Sequence, residues 1–224
     1  MRMRRKAKQA PDEAEETREA AESATADRED SRGARSGGPW DAAEVELDED
    51  DESRVDLGAL VIKGRAGIEV RLQADQATDQ IQAVMLVAED GAMELRPFAA
   101  PRNEDIWDDI RAQLAAEAQR RGGRSGEVDG PFGKALQMVL PVVAPDGQKG
   151  TQTSTVLGIG GPRWLLRVST FGRPATRWQA DAALEQTLRD VVVVRGGQPM
   201  SPGEALPLVL PAGARRVTPP AAPS

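Results

Sequence analysis

The sequence predicts an α+β domain, a mainly antiparallel sheet packed with one long and one short helix, behind a disordered acidic N-terminal arm. Apolar residues recur at period two in several short runs joined by tight-turn residues, the mark of strands linked locally. One stretch carries apolar residues at helical spacing instead. Residues 1–56 show no apolar periodicity and cannot bury enough surface to offset their ordering entropy.

The arm joins a basic head (Arg2, Arg4, Arg5, Lys6, Lys8) to Glu/Ala-rich sequence, and closes on the run Asp48-Glu49-Asp50-Asp51-Glu52. The domain starts near Val55. The chain therefore divides into a disordered charged arm at residues 1–54, a single α+β domain at 55–210 and a flexible tail at 211–224.

Residues 57–62 are apolar, and Ile68, Val70 and Leu72 alternate with Glu69, Arg71 and Gln73 as in a half-buried strand. Residues 81–88 form a nearly continuous apolar run, Asp90-Gly91 suits a hairpin turn, and Met93 and Leu95 lead to Phe98, so these two runs pair antiparallel. Pro101 ends the strand. Asn103 is placed to cap a helix whose first turn carries Glu104, Asp105, Asp108 and Asp109. Ile106, Trp107, Ile110, Leu114 and Ala118 form its apolar stripe, Arg111, Glu117 and Arg120 face away, and Gly122-Gly123 stop it.

Residues 129–133 (DGPFG) are a turn, after which Leu136, Met138 and Leu140 alternate. Pro145-Asp146-Gly147 turns the chain again. Residues 155–159 and 163–171 flank Gly160-Gly161-Pro162 as a second hairpin, with Trp164, Leu166 and Val168 on one face. Leu184 and Leu188 mark a short helix running into residues 191–194, and Leu206, Leu208 and Leu210 lie along an edge. Strand faces this apolar need a second layer, hence a sheet covered by helices.

The net charge of -7 belongs to the arm: residues 1–56 carry 10 Lys+Arg against 18 Asp+Glu, whereas residues 57–224 carry 19 against 18. Overall charge thus announces no nucleic-acid or membrane surface on the folded part. The absence of Cys, His and Tyr removes disulfides, thiolate nucleophiles, imidazole bases and the common transition-metal ligands. No motif calls for a cofactor. The start lacks a secretory apolar region and no apolar run approaches membrane-spanning length, so a cytoplasmic protein is expected.

Five segments carry a family resemblance: Gly38-Pro39-Trp40; Phe98-Ala99-Ala100-Pro101-Arg102 with Trp107; Asp129-Gly130-Pro131-Phe132-Gly133; Gly161-Pro162-Arg163-Trp164; and Arg189-Asp190-Val191-Val192-Val193-Val194-Arg195-Gly196. Together they resemble the actinobacterial family of domains of unknown function numbered 3710, over about residues 38–210. The element order is also similar to PsbP-like sandwiches. Neither resemblance implies a catalytic motif.

Acid–base chemistry at Asp108 and Asp109 is disfavoured, because adjacent helical positions point about 100° apart. Lys63, Lys134 and Lys149 sit in no nucleophile-activating pattern. The run from Asp48 lacks a calcium loop's Gly at position six and Glu at position twelve, where Ala59 stands. Gly158, Gly160 and Gly161 precede no helix, so a hairpin is expected there rather than a phosphate loop.

The remaining candidate is an arginine concentration, Arg163, Arg167, Arg173 and Arg177 with Trp178, suited to phosphate or a stacked base. Ion pairing with Asp181, Glu185 and Asp190, with Trp164 as core, is the competing account. The expectation is a non-catalytic interaction or scaffold protein with a protein partner; the alternative is nucleic-acid or nucleotide binding through these arginines. The arm is either solubilising or an electrostatic cover for them.

Overall fold

The structure is a computed structural model of the chain and describes residues 35–48, 51–75, 77–102, 106–144 and 146–211. Its strands build two sheets. The larger contains β4 (Glu69–Ala74), β5 (Ile81–Ala88), β6 (Gly91–Ala99), β7 (Arg124–Gly130), β8 (Gly133–Val143), β9 (Lys149–Gly161) and β10 (Trp164–Gly172). Its order is β4-β5-β6-β10-β9-β8-β7, with every neighbour antiparallel. The smaller sheet holds β1 (Trp40–Asp41), β2 (Arg54–Asp56), β3 (Leu60–Lys63) and β11 (Val192–Val193) in the order β1-β11-β3-β2. The helices are α1 (Trp107–Arg120), the single turn α2 (Arg173–Thr176) and α3 (Ala183–Arg189). The architecture is the expected one, mostly antiparallel sheet with few helices.

Alternation decides which sheet face is which. Trp164, Leu166 and Val168 of β10 line up with Ala99, Pro97 and Leu95 of β6 and with Gly161, Ile159 and Leu157 of β9. These side chains point toward the smaller sheet and α3, where they meet Leu60, Ile62, Leu184, Leu188 and Val193 in the main core. Each fully buried aliphatic side chain there contributes about 1.5–3 kcal/mol relative to exposure. The opposite face carries α1, whose Trp107, Ile110 and Leu114 pack with Met138, Val156 and Leu165.

Gly158 makes that second contact possible. A Cβ there would lie 2.1 Å from the Trp107 ring, so only glycine admits the indole. The Trp107 Nε1–H donates to the Lys134 carbonyl at 2.7 Å, which pins the ring over β9.

Several expectations need correction. Packed structure precedes Val55, because residues 35–48 are already part of the described fold. β1 pairs in parallel with β11, and the Arg35 side chain, 2% exposed, donates to Glu44 Oε2 at 2.9 Å while its guanidinium stacks 5.2 Å from the Trp164 ring. No apolar stripe marks residues 35–48 because an ion pair within the segment and backbone pairing with the distant β11 hold them. Residues 1–34, 49, 50 and 212–224 lie outside the described residues, so most of the arm and the tail do too.

Strand β7 reads as no strand in sequence, yet it pairs with β8 from Arg124↔Val139 to Gly130↔Gly133. The expected cap Asn103 and acids Glu104 and Asp105 fall outside the described residues, and α1 starts after Ile106 without a side-chain cap. Arg111 does not face away from the fold. Its side chain is 12% exposed and bridges Asp108 and Glu127 at 2.9 and 3.1 Å. In the C-terminal segment Leu206 and Leu208 are buried, but Leu210 is exposed. The Leu206 N–H donates to the Pro97 carbonyl and the Val209 N–H to the Leu57 carbonyl, both at 2.9 Å, stitching the two sheets together.

A candidate anion-binding face

The anticipated arginine cluster does not assemble. Arg163 precedes β10 and Arg173 follows it, and at about 3.3 Å per strand residue the two stand about 30 Å apart. Arg163 occupies the hairpin turn at φ 63°, where its carbonyl accepts from the Ala100 N–H at 2.9 Å and from Arg195 Nε at 3.1 Å.

Arg173 is consumed by structure. Its Nη1 and Nη2 donate to the two Glu185 oxygens at 2.6 and 2.9 Å, its Nε donates to Asp90 Oδ2, and the Glu185 side chain is fully buried. Glu185, followed by burial and Asp90, is the chief influence on the guanidinium, and the net effect raises its pKa far above the ordinary value. Pairing with Glu185 is the account weighed from sequence, and it describes this residue.

Arg177 is exposed, and its carbonyl receives the third Arg173 contact at 3.2 Å. Trp178 packs edge-on to Phe132 at 5.9 Å on the core side of the larger sheet, with its buried Nε1–H unpaired. Arg189, not Arg177, reaches that aromatic pair, lying 5.3 Å over Phe132.

Arg167 is different. It sits on the outer face of β10, directly across from Arg96 on β6 and Gly158 on β9. Its guanidinium stacks 5.3 Å from the Phe98 ring, its Nε is buried with no acceptor, and it makes no ion pair or hydrogen bond among the described residues. Burial, and then the neighbouring Arg96, lower its pKa, against a smaller opposing effect from Glu94. Arg96 is tied to Glu94 at 2.9 Å. Two cations thus face each other directly, with one carboxylate, Glu94, beside Arg96, an arrangement that opposes strand pairing by roughly 0.2–1 kcal/mol.

The surroundings are amphipathic. α1 covers β7, β8 and β9 and leaves the outer face of β4, β5, β6 and β10 half open, where Phe98 lies against Arg167 and Met85, Val87 and Phe171 are partly buried further along the same face. Such a floor orients a guanidinium and leaves its outer N–H groups free to donate to a carboxylate or phosphate. Arg96 and Phe98 escaped the sequence reading because they belong to this site only through the pairing of β6 with β10, which brings together residues far apart in the chain.

A shallow depression of about 510 Å³ also lies beside Gly67, Ile68, Glu69, Val87, Ala88 and Glu89. Glu69 there is engaged by Arg71 at 2.8 and 2.7 Å, and that hydrogen bonding holds its carboxyl below the ordinary range.

Four of the five segments that carried the family resemblance meet near Trp164, and the fifth, through Phe132, meets Arg189. Trp164 Nε1–H donates to Asp41 Oδ2 at 2.7 Å, next to the Gly38-Pro39-Trp40 turn. The Trp40 N–H donates to the Val191 carbonyl at 2.9 Å, and Ala100 bonds to Arg163. A family described as Protein of unknown function (DUF3710) matches residues 38–216. The chain belongs to that family. The DUF3710 match starts within the β1 turn, in keeping with a fold that begins before Val55.

No curated protein matches the DUF3710 chain in sequence. Among solved structures, the solution structure of cyanobacterial PsbP (CyanoP) from Synechocystis sp. PCC 6803 is similar at 8% identity and a TM-score of 0.35, over 68% of this chain and 99% of that one.

Proposed function

We propose that this DUF3710 domain is a non-catalytic binding module whose open β4–β5–β6–β10 face accepts a carboxylate-rich segment of a protein partner, with Arg167 as the anchor. The supporting observation is that Arg167 is partly desolvated, stacked on Phe98 and without an anionic partner, beside a second cation. A carboxylate on that guanidinium would gain charge-assisted hydrogen bonds worth about 1.5–3 kcal/mol each. Half-buried Met85, Val87 and Phe171 supply apolar contact for the same segment further along this face.

An acidic peptide suits this face better than a nucleic-acid backbone. Arg163 and Arg173 stand at opposite ends of β10, too far apart for a continuous cationic track along successive phosphates. No described helix is long and apolar enough to cross a membrane. A cytoplasmic setting belongs to this proposal and accords with a chain free of cysteine.

The test is titration of the full chain with a fluorescein-labelled poly-glutamate peptide at low salt. Arg167→Gln should weaken binding by about 10-fold or more, as loss of one charged hydrogen-bonding anchor implies, with an unchanged unfolding midpoint. Equal affinity for wild type and Arg167→Gln would overturn the reading. Tighter, Arg167-dependent binding of a labelled oligonucleotide would favour the phosphate alternative instead.

A further inference from the structure

We infer that the chain's own residues 12–30 compete for the Arg167 face, so that an acidic partner must displace them. This inference rests on the function proposed above and names the regulation of that same site. It starts from charge. Residues 12–30 carry nine Asp+Glu against two Lys+Arg, an acidic stretch set between the basic residues 2–8 and Arg32.

The position of Arg35 makes the match geometric as well. Arg35 is fixed against Trp164, the first residue of β10, and Arg167 lies three residues further along that strand on the opposite face. Three strand residues and the thickness of one sheet amount to about 20 Å, which about six extended residues span. Asp30, Glu29 and Asp27 stand five, six and eight residues before Arg35. They are the first carboxylates upstream of the anchor, at the separation the path requires.

Tethering supplies the concentration. A short linker holds its ligand at about millimolar effective concentration, so even weak attraction between these acids and the Arg96–Arg167 pair would compete with a free peptide. The contact is electrostatic and part-exposed, so salt weakens it.

The experiment compares the full chain with the full-length triple variant Asp27→Asn, Glu29→Gln, Asp30→Asn, each with and without Arg167→Gln, using the labelled poly-glutamate peptide at low salt. The triple variant should bind about fivefold tighter than wild type, as release of a tethered competitor predicts. Arg167→Gln should erase that gain. Equal, Arg167-dependent binding by wild type and the triple variant would overturn the inference and leave the proposed function standing. Binding by neither, or binding indifferent to Arg167, would overturn both. As a second readout, amide resonances of residues 94–98 and 165–169 should shift between wild type and triple variant at low salt, at every protein concentration. Unchanged resonances, or a shift that grows with concentration and so reports a second copy, would overturn the intramolecular contact.

Discussion

The indole N–H of Trp164 donates to Asp41 Oδ2 at 2.7 Å, joining the edge strand of the smaller sheet to the central region of the larger one across 123 positions of sequence. Trp164 is completely buried and Asp41 nearly so, with its second carboxylate oxygen held by the Ala43 N–H at 2.9 Å. Removing the acceptor strands a buried donor. Asp41→Ala should therefore lower stability by about 1–3 kcal/mol, and Asp41→Asn by less, because the amide oxygen still accepts. Urea denaturation followed by tryptophan fluorescence measures both, and an unchanged midpoint for Asp41→Ala would count against this account of the β1 attachment.

Gly158→Ala tests how α1 is seated. The added methyl would occupy the position of the Trp107 ring, so the helix must lift from β9 or the strand must bend. Overpacking of this kind costs about 1–3 kcal/mol. The same denaturation assay should show that loss, together with faster hydrogen exchange along α1 than in wild type.

Arg173→Met leaves the fully buried Glu185 carboxylate without its bidentate partner. Breaking one side of such a pair costs about 3–5 kcal/mol, whereas replacing both members with apolar groups is milder. The pair of variants Arg173→Met and Arg173→Met/Glu185→Leu should accordingly unfold at different midpoints, the double variant being the more stable. Arg167→Leu should behave in the opposite sense. It removes a desolvated cation facing Arg96, so stability should hold or rise by roughly 0.2–1 kcal/mol while peptide binding falls. Loss of stability at Arg167 would mark it as structural.

Asp75 predicts a local pH dependence. Its carboxylate accepts from the Ala77 and Thr78 N–H groups at 2.9 Å each, and from the Thr78 hydroxyl and Gln82, and these hydrogen bonds lower its pKa below the ordinary 3.8. A depressed pKa in the folded state means that the turn between β4 and β5 is supported above pH 3.8 and loosens as pH falls through the lower folded value. Thr78 amide chemical shifts should titrate with a midpoint below 3.8, and a midpoint at or above it would contradict the turn geometry.

Much of this arrangement was legible in the sequence wherever the signal was local. The β5–β6 and β9–β10 hairpins, the apolar stripe of α1 and the inward face of Trp164, Leu166 and Val168 all follow from spacing and turn residues within a few positions of one another. Strand β7 was not legible, because its sequence RSGEVDG has no alternation and its pairing comes from β8. Residues 35–44 were hidden for a related reason: a buried ion pair and two ladder bonds carry no hydropathy signature.

The sequence by itself determined the class of the fold and the absence of cysteine, histidine and tyrosine, since these depend on composition and short-range period. Tertiary structure alone decided which arginine is taken up by a carboxylate and which is desolvated without one. Arg163, Arg167, Arg173 and Arg177 are chemically alike, and only the pairing of β10 with β6, together with the approach of Glu185 to Arg173, sorts them. The physical reason is that a guanidinium's function depends on whether a carboxylate lies within hydrogen-bonding distance, and strand register and packing set that distance from far along the chain.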